Sequence, residues 1–256
     1  MKTTLACLAA AAALVATADA KPQPVWEIGL GAFATYSPAY YGSSESTFGG
    51  FPVVYFSYRG EDFSILSNGL YDVAASSEKR FDFGLSVDIG GNVDSEDRLF
   101  LGDIDYVGEV GPKITVALFA NGTSRFEVGV AARAAFELGE GYIGYVIQPE
   151  VAYLTTLSST TRLGISVAPK FGFDGYNERF YATPFFAADS GYIGTDISLK
   201  LVNDVSDRFR ISGEVKAISL SGAENEDSPL YQEDWNYAVR IGFTYAIYQS
   251  EAMTSD

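Results

Sequence analysis

The chain of 256 residues has no histidine, and its one cysteine, Cys7, lies near the start. Histidine is the usual general base, the usual partner of a nucleophilic serine and the commonest metal ligand, so its absence removes the ordinary hydrolase constellations. Beyond residue 20 there is no cysteine, which excludes disulfides, thiol catalysis and cysteine-ligated metals there. After that point there is also no apolar run of about 18 residues, so no helix of membrane-spanning length is expected. A sustained i, i+3, i+4 pattern is absent too. Basic residues are scarce: 17 Lys and Arg stand against 33 Asp and Glu, a formal charge of −16. Such a chain lacks the electrostatic footprint of a nucleic-acid binder. Its 17 Tyr and 18 Phe argue equally against disorder, which is poor in aromatics.

The first twenty residues read as a secretory leader. Lys2 supplies the positive start, Leu5 to Val15 the apolar segment and Ala18-Asp19-Ala20 a small-x-small cleavage site. The apolar segment is too short to span a bilayer. Cys7 interrupts it rather than following it, which argues against a lipid anchor. Residues 21–256 form one predicted domain.

In that domain the recurring period is two. Phe81, Phe83, Leu85, Val87 and Ile89 alternate with Asp82, Gly84, Ser86, Asp88 and Gly90; Val239, Ile241, Phe243, Tyr245 and Ile247 alternate with Ala238, Arg240, Gly242, Thr244 and Ala246. Strict alternation predicts strands with one apolar face. We expect twelve: 24–36, 47–58, 62–74, 79–90, 105–120, 123–138, 142–157, 160–173, 178–187, 192–204, 207–221 and 234–248, with ten or fourteen as alternative counts. Most reach the 9–11 residues or so that cross a bilayer at a tilt. Turn residues separate them, among them Asn121-Gly122 and Gly139-Glu140-Gly141.

Alternation alone does not say which face meets lipid, and a soluble β-sandwich is the competing fold. A barrel of about twelve strands is too wide for side chains to fill an apolar interior. The polar face carries charges of both signs: Asp82, Asp88, Glu127, Arg133, Glu137, Lys170, Asp196, Lys200, Arg210, Glu214, Lys216 and Arg240. Turned inward it lines a polar lumen. The expected fold is therefore a closed antiparallel barrel in outer-membrane lipid. Its candidate lumen charges are Arg133, Lys170, Asp196, Lys200, Arg210, Glu214, Lys216 and Arg240. These permit a salt-bridged plug or a charge-lined pore. Arg240, Gly242, Tyr245 and Ile247 on the last strand form a candidate signal for the barrel-assembly machinery, although eight residues follow it.

Several segments resemble the MipA/OmpV family. They are Trp26-Glu27-Ile28-Gly29-Leu30-Gly31, then Tyr36-Ser37-Pro38-Ala39-Tyr40-Tyr41-Gly42-Ser43, Pro52 to Gly60, Ala187 to Tyr192 and Asp227-Ser228-Pro229-Leu230. The resemblance runs from about 26 to 248; from 91 to 175 it is only to generic strands. It implies a bacterial outer-membrane protein without catalytic residues or cofactors. The implied role is a scaffold holding a murein transglycosylase and a murein synthase at the envelope. A narrow channel for small solutes is the competing role, and a surface adhesin the next.

Three connections stand out. Tyr36–Ser46 is expected outside the cell, with its tyrosines in an interfacial aromatic girdle. The acidic stretch Asp94-Ser95-Glu96-Asp97, with Asp103 and Asp105, falls by strand parity on the periplasmic side, where it would dock a partner. It lacks the regular spacing of a calcium loop. Glu224, Glu226, Asp227, Glu233 and Asp234 form an acidic last outer loop.

Overall fold

A computed structural model describes residues 22–60, 63–67, 81–99, 101–173 and 175–254. The expected leader, residues 62 and 68–74 of the third expected strand and 79–80 of the fourth lie outside the described residues. Eleven strands are described: β1 (Trp26–Pro38), β2 (Ser46–Arg59), β3 (Phe63–Ser67), β4 (Phe81–Ile89), β5 (Val107–Asn121), β6 (Ser124–Glu137), β7 (Gly141–Ser158), β8 (Thr161–Phe173), β9 (Gly191–Asp204), β10 (Phe209–Ser219) and β11 (Trp235–Gln249). Each pairs with its sequence neighbours, and β11 pairs with β1 to close a barrel.

Two expectations are corrected here. The segment 178–187 is not a strand: it holds a short helix, α1 (Gly175–Tyr181), followed by a tight turn with a Thr183–Phe186 bridge. The barrel is also not purely antiparallel, because β3 and β4 run parallel. The two facts belong together. Every antiparallel pairing reverses chain direction, so a closed circuit contains an even number of them. Eleven strands therefore need an odd number of parallel pairs, here β3 with β4.

Burial inverts the pattern of a soluble protein. Val54 is 72% exposed and Ile241 61%, whereas Arg133 is 4% and Lys170 2% exposed. Apolar side chains point out and charged ones in, which removes the sandwich alternative and matches a lipid-facing wall around a polar lumen. Aromatic residues mark both rims. Trp26 packs on Tyr58 and Phe56 at one end. At the other, Phe136 meets Tyr142 edge-on, and Trp235 opens β11.

The two ends differ. At the end bearing the chain termini, the connections β5–β6, β7–β8 and β9–β10 are short turns. There residues 22–25 and 250–254 continue the β1–β11 ladder beyond the wall: Val25 N donates to Ala252 O (2.9 Å) and Thr254 N to Gln23 O (2.8 Å). Residues 250–254, after the last strand, are thus held in place. At the opposite end four long connections among the described residues, within 39–45, 90–106, 174–190 and 220–234, converge. This corrects the position expected for 91–105, which shares an end with 39–45 and 220–234. Parity failed because β3 and β4 run the same way.

Those connections fold over the barrel mouth as a cap with its own core of Tyr40, Val93, Ile104, Tyr176, Phe180, Tyr181 and Ile193. Tyr40, expected in the girdle, is 5% exposed and faces this core. Gly144 makes room for α1. At φ +136° an added Cβ would come within 2.5 Å of Tyr176 N and 2.6 Å of Phe173 O. Gly144→Ala should therefore displace α1 and cost about 1–3 kcal/mol; urea unfolding followed by tryptophan fluorescence checks it, and an unchanged midpoint would contradict this packing.

Candidate functional site

Most of the sequence-predicted charges gather in the lumen. Inward positions on successive strands put them within reach of one another, because neighbouring strands lie about 5 Å apart. Near the cap, Glu109 collects three donors. Lys170 Nζ reaches its Oε1 at 2.5 Å, the Tyr176 hydroxyl donates to the same oxygen at 2.8 Å, and Arg133 Nε donates to Oε2 at 2.9 Å. Arg133 goes on to donate to Ser86 Oγ (3.1 Å) and to Gln148 Oε1 (2.7 Å). Gln148 in turn donates to Asp196 Oδ2 at 3.1 Å. Asp196 also accepts the Tyr41 hydroxyl at 2.6 Å and pairs with Lys216 at 2.9 Å. Arg240 bridges Asp88 (3.2 Å) and Glu214 (3.6 Å), while Lys200 stands opposite Glu214 in the β9–β10 register.

Lower down, Lys113 pairs with Glu150, and Arg125 with Asp82 and Glu127. Arg210, towards the end bearing the termini, lies in a separate group. It donates to Asp204 Oδ1 (2.9 Å) and contacts Glu27 (3.4 Å), and Arg162 grips Asp204 with two bonds of 2.7 and 2.9 Å. Ions withdrawn from water cost several kcal/mol each unless such pairing and hydrogen bonding replace the lost hydration. The network therefore holds strands across the lumen, not only along the wall.

Between these layers lies a chamber of about 210 Å³, lined by residues that include Lys113, Glu127, Glu150, Ser166, Ser198 and Lys200. That is room for roughly seven waters. Among the described residues no group of histidine, cysteine and acidic side chains is arranged to hold a metal.

The cap is tied to the wall and to itself. Tyr40 OH donates to Leu230 O (2.9 Å), Tyr181 OH to Tyr41 O (2.9 Å), and Ser228 Oγ to Tyr181 O (2.6 Å). Asn236 clasps the first connection, accepting from Gly42 N (2.7 Å) and donating to Ser43 O (2.9 Å). Arg179 on α1 grips Glu137 at the end of β6 with two bonds of 2.6 Å. Two of the cap's tyrosines, Tyr41 and Tyr176, descend far enough to bond the lumen carboxylates, so cap and lumen form one hydrogen-bonded body.

Sequence reasoning identified Arg133 and Lys170 but missed Glu109, the carboxylate that pairs with both, and it also missed Lys113, Arg125 and Arg162. The inward position of Glu109 follows from the alternation of Glu109, Lys113 and Thr115 with Val110, Ile114 and Val116, a legible signal. Tyr41 and Tyr176 carried no such signal, because connections have no period. Of the residues proposed to guide assembly, Arg240 and Gly242 face inward, while Tyr245 and Ile247 are half exposed on the outer wall of the strand that closes the barrel.

A family model described as MltA-interacting protein MipA matches residues 30–247. No curated protein sequence matches the chain. Among solved structures, the COG4313 outer membrane channel from Pseudomonas putida F1 is similar with a TM-score of 0.52 at 11% identity, covering 91% of this chain and 99% of that one. That likeness is one of fold. The Pseudomonas putida toluene transporter TodX aligns with a TM-score of 0.31 at 13% identity, over 93% of this chain and 72% of its own.

Proposed function

The chain belongs to the MipA family of bacterial outer-membrane barrels, and from that premise we propose that it is a closed, non-enzymatic barrel serving as a membrane anchor for murein enzymes. In outer-membrane barrels the short turns face the periplasm and the long loops the exterior. The capped end is then the outer end. The rim bearing the termini, with its short turns and the paired 22–25 and 250–254 segments, is the surface offered to the periplasm. The observation that carries the reading is the cap seated on an ion-paired lumen: Tyr176 and Tyr41 bond the carboxylates of Glu109 and Asp196, filling the place where a pore would run.

The family's name supplies the partner class, a murein transglycosylase. The barrel in lipid nanodiscs should bind a purified soluble MltA saturably, with a dissociation constant of about 10 μM or tighter, as suits a transient envelope contact. Replacing 250–254 with a Gly-Ser stretch should weaken that binding. Absence of binding at that concentration would contradict the anchor reading.

One observation favours a second reading. The chamber of about 210 Å³ is lined by charged side chains such as Lys113, Glu150 and Lys200, and a narrow channel for small solutes would need such a waist. That reading requires the cap to move aside.

A further inference from the structure

One charged group of the cap forms no ion pair among the described residues. Arg98 closes the 3-10 turn Ser95–Arg98 and is 2% exposed. Its guanidinium donates only to neutral carbonyls: Nη1 to Gly102 O at 3.0 Å, and Nη2 to Arg179 O at 2.8 Å and Phe180 O at 3.5 Å. Its Nε has no acceptor, and no ion pair forms with it among the described residues. Burial, with Arg179 beside it, pulls its pKa below the ordinary arginine value. A buried cation bonded to carbonyls alone is costly unless an anion joins it. Leu99 follows in the left-handed conformation (φ 54°), which a leucine adopts only under constraint.

Arg98 lines a groove of about 580 Å³ between the 95–104 segment, the β6–β7 hairpin and α1. The other lining residues combine one guanidinium, Arg179, with the apolar Leu101, Tyr142, Ile143 and Pro184, and one acid, the exposed Glu178. The Arg179 charge is paired with Glu137, whereas Arg98 has no direct ion pair among the described residues. The groove is continuous with the lipid-facing wall through Tyr142, whose ring meets Phe136 at 5.8 Å; both are exposed, at 54% and 44%. A site that is cationic at its floor, apolar along its side and open to the membrane rim suits an amphiphile with an anionic head.

We propose that this groove binds a lipid with an uncapped phosphate head group, the phosphate seated over Arg98 and Arg179 and an acyl chain running past Tyr142 towards Phe136. The site lies at the end opposite the periplasmic rim and does not depend on the anchor reading.

The test uses the full folded chain in a neutral detergent, with displacement of fluorescent phosphatidic acid as the readout. Phosphatidic acid should bind saturably and phosphatidylcholine at least about tenfold more weakly, as expected when a charge-assisted contact is lost. Arg98→Gln should weaken phosphatidic acid by a similar factor of about ten. Glu178→Gln removes the one lining acid without touching the carbonyls around Arg98, and should tighten binding about threefold. That variant keeps the test decisive where Arg98→Gln fails to fold. Equal binding of the two lipids, or an unchanged affinity in Glu178→Gln, would overturn the proposal. So would displacement of the lipid by inorganic phosphate at equal concentration, which would mean a site for the free ion.

Discussion

Glu109→Ala is expected to destabilise the barrel by about 3–5 kcal/mol, the cost of leaving buried charges without their partner. Glu109 is 4% exposed and pairs with both Arg133 and Lys170, themselves 4% and 2% exposed. Its removal leaves two buried cations without their shared carboxylate and strips Tyr176 of its acceptor. The loss should be larger than that from replacing the whole cluster: Glu109→Leu with Arg133→Met and Lys170→Met removes the charges together and should be milder than the single change. Urea unfolding from lipid vesicles, followed through Trp26 and Trp235, measures both. A single variant within about 0.5 kcal/mol of the parent, the range of ordinary surface changes, would mean that the network does not hold the barrel.

The second large effect separates the two faces of one wall. Ile241 stands in the middle of β11 with 61% of its surface exposed. Ile241→Arg should cost about 2–4 kcal/mol, the depth-dependent cost of a cation among acyl chains. Ser166→Arg, on the face that lines the chamber, should cost less, since carboxylates and water stand there to meet the charge. A soluble fold would show the reverse order, because there the exposed position tolerates the charge. Equal effects would deny that lipid covers the outer face.

How far the fold could be read from the sequence follows from what sets each part. Strands obeyed period two because one face meets hydrocarbon along its whole length. The expected 123–138 and 192–204 correspond to observed Ser124–Glu137 and Gly191–Asp204. The charged face pointed inward for the same reason. The segment 178–187, expected as a strand, carries no strict alternation, since Phe185 and Phe186 are adjacent. In the structure Phe180 packs under the cap while Phe185 is wholly exposed, a division set by tertiary packing rather than by a strand's pleat. Strand parity failed at β3 and β4, where chain direction depends on pairing partners and not on residue type. Tyr40 and Tyr41 were assigned to a girdle because tyrosine favours interfaces. Their hydrogen bonds to Leu230 O and Asp196 come from segments some 150 to 190 residues away along the chain, which no local pattern encodes.

The central claim is that cap and lumen form one closed body. Single-channel conductance of the folded, heat-modifiable protein in a planar bilayer tests it most directly. The parent barrel should show no steady ohmic steps, and a variant with 175–189 replaced by a short Gly-Ser linker should show them. Steady ohmic steps from the parent itself would contradict the closed barrel and put solute passage in its place.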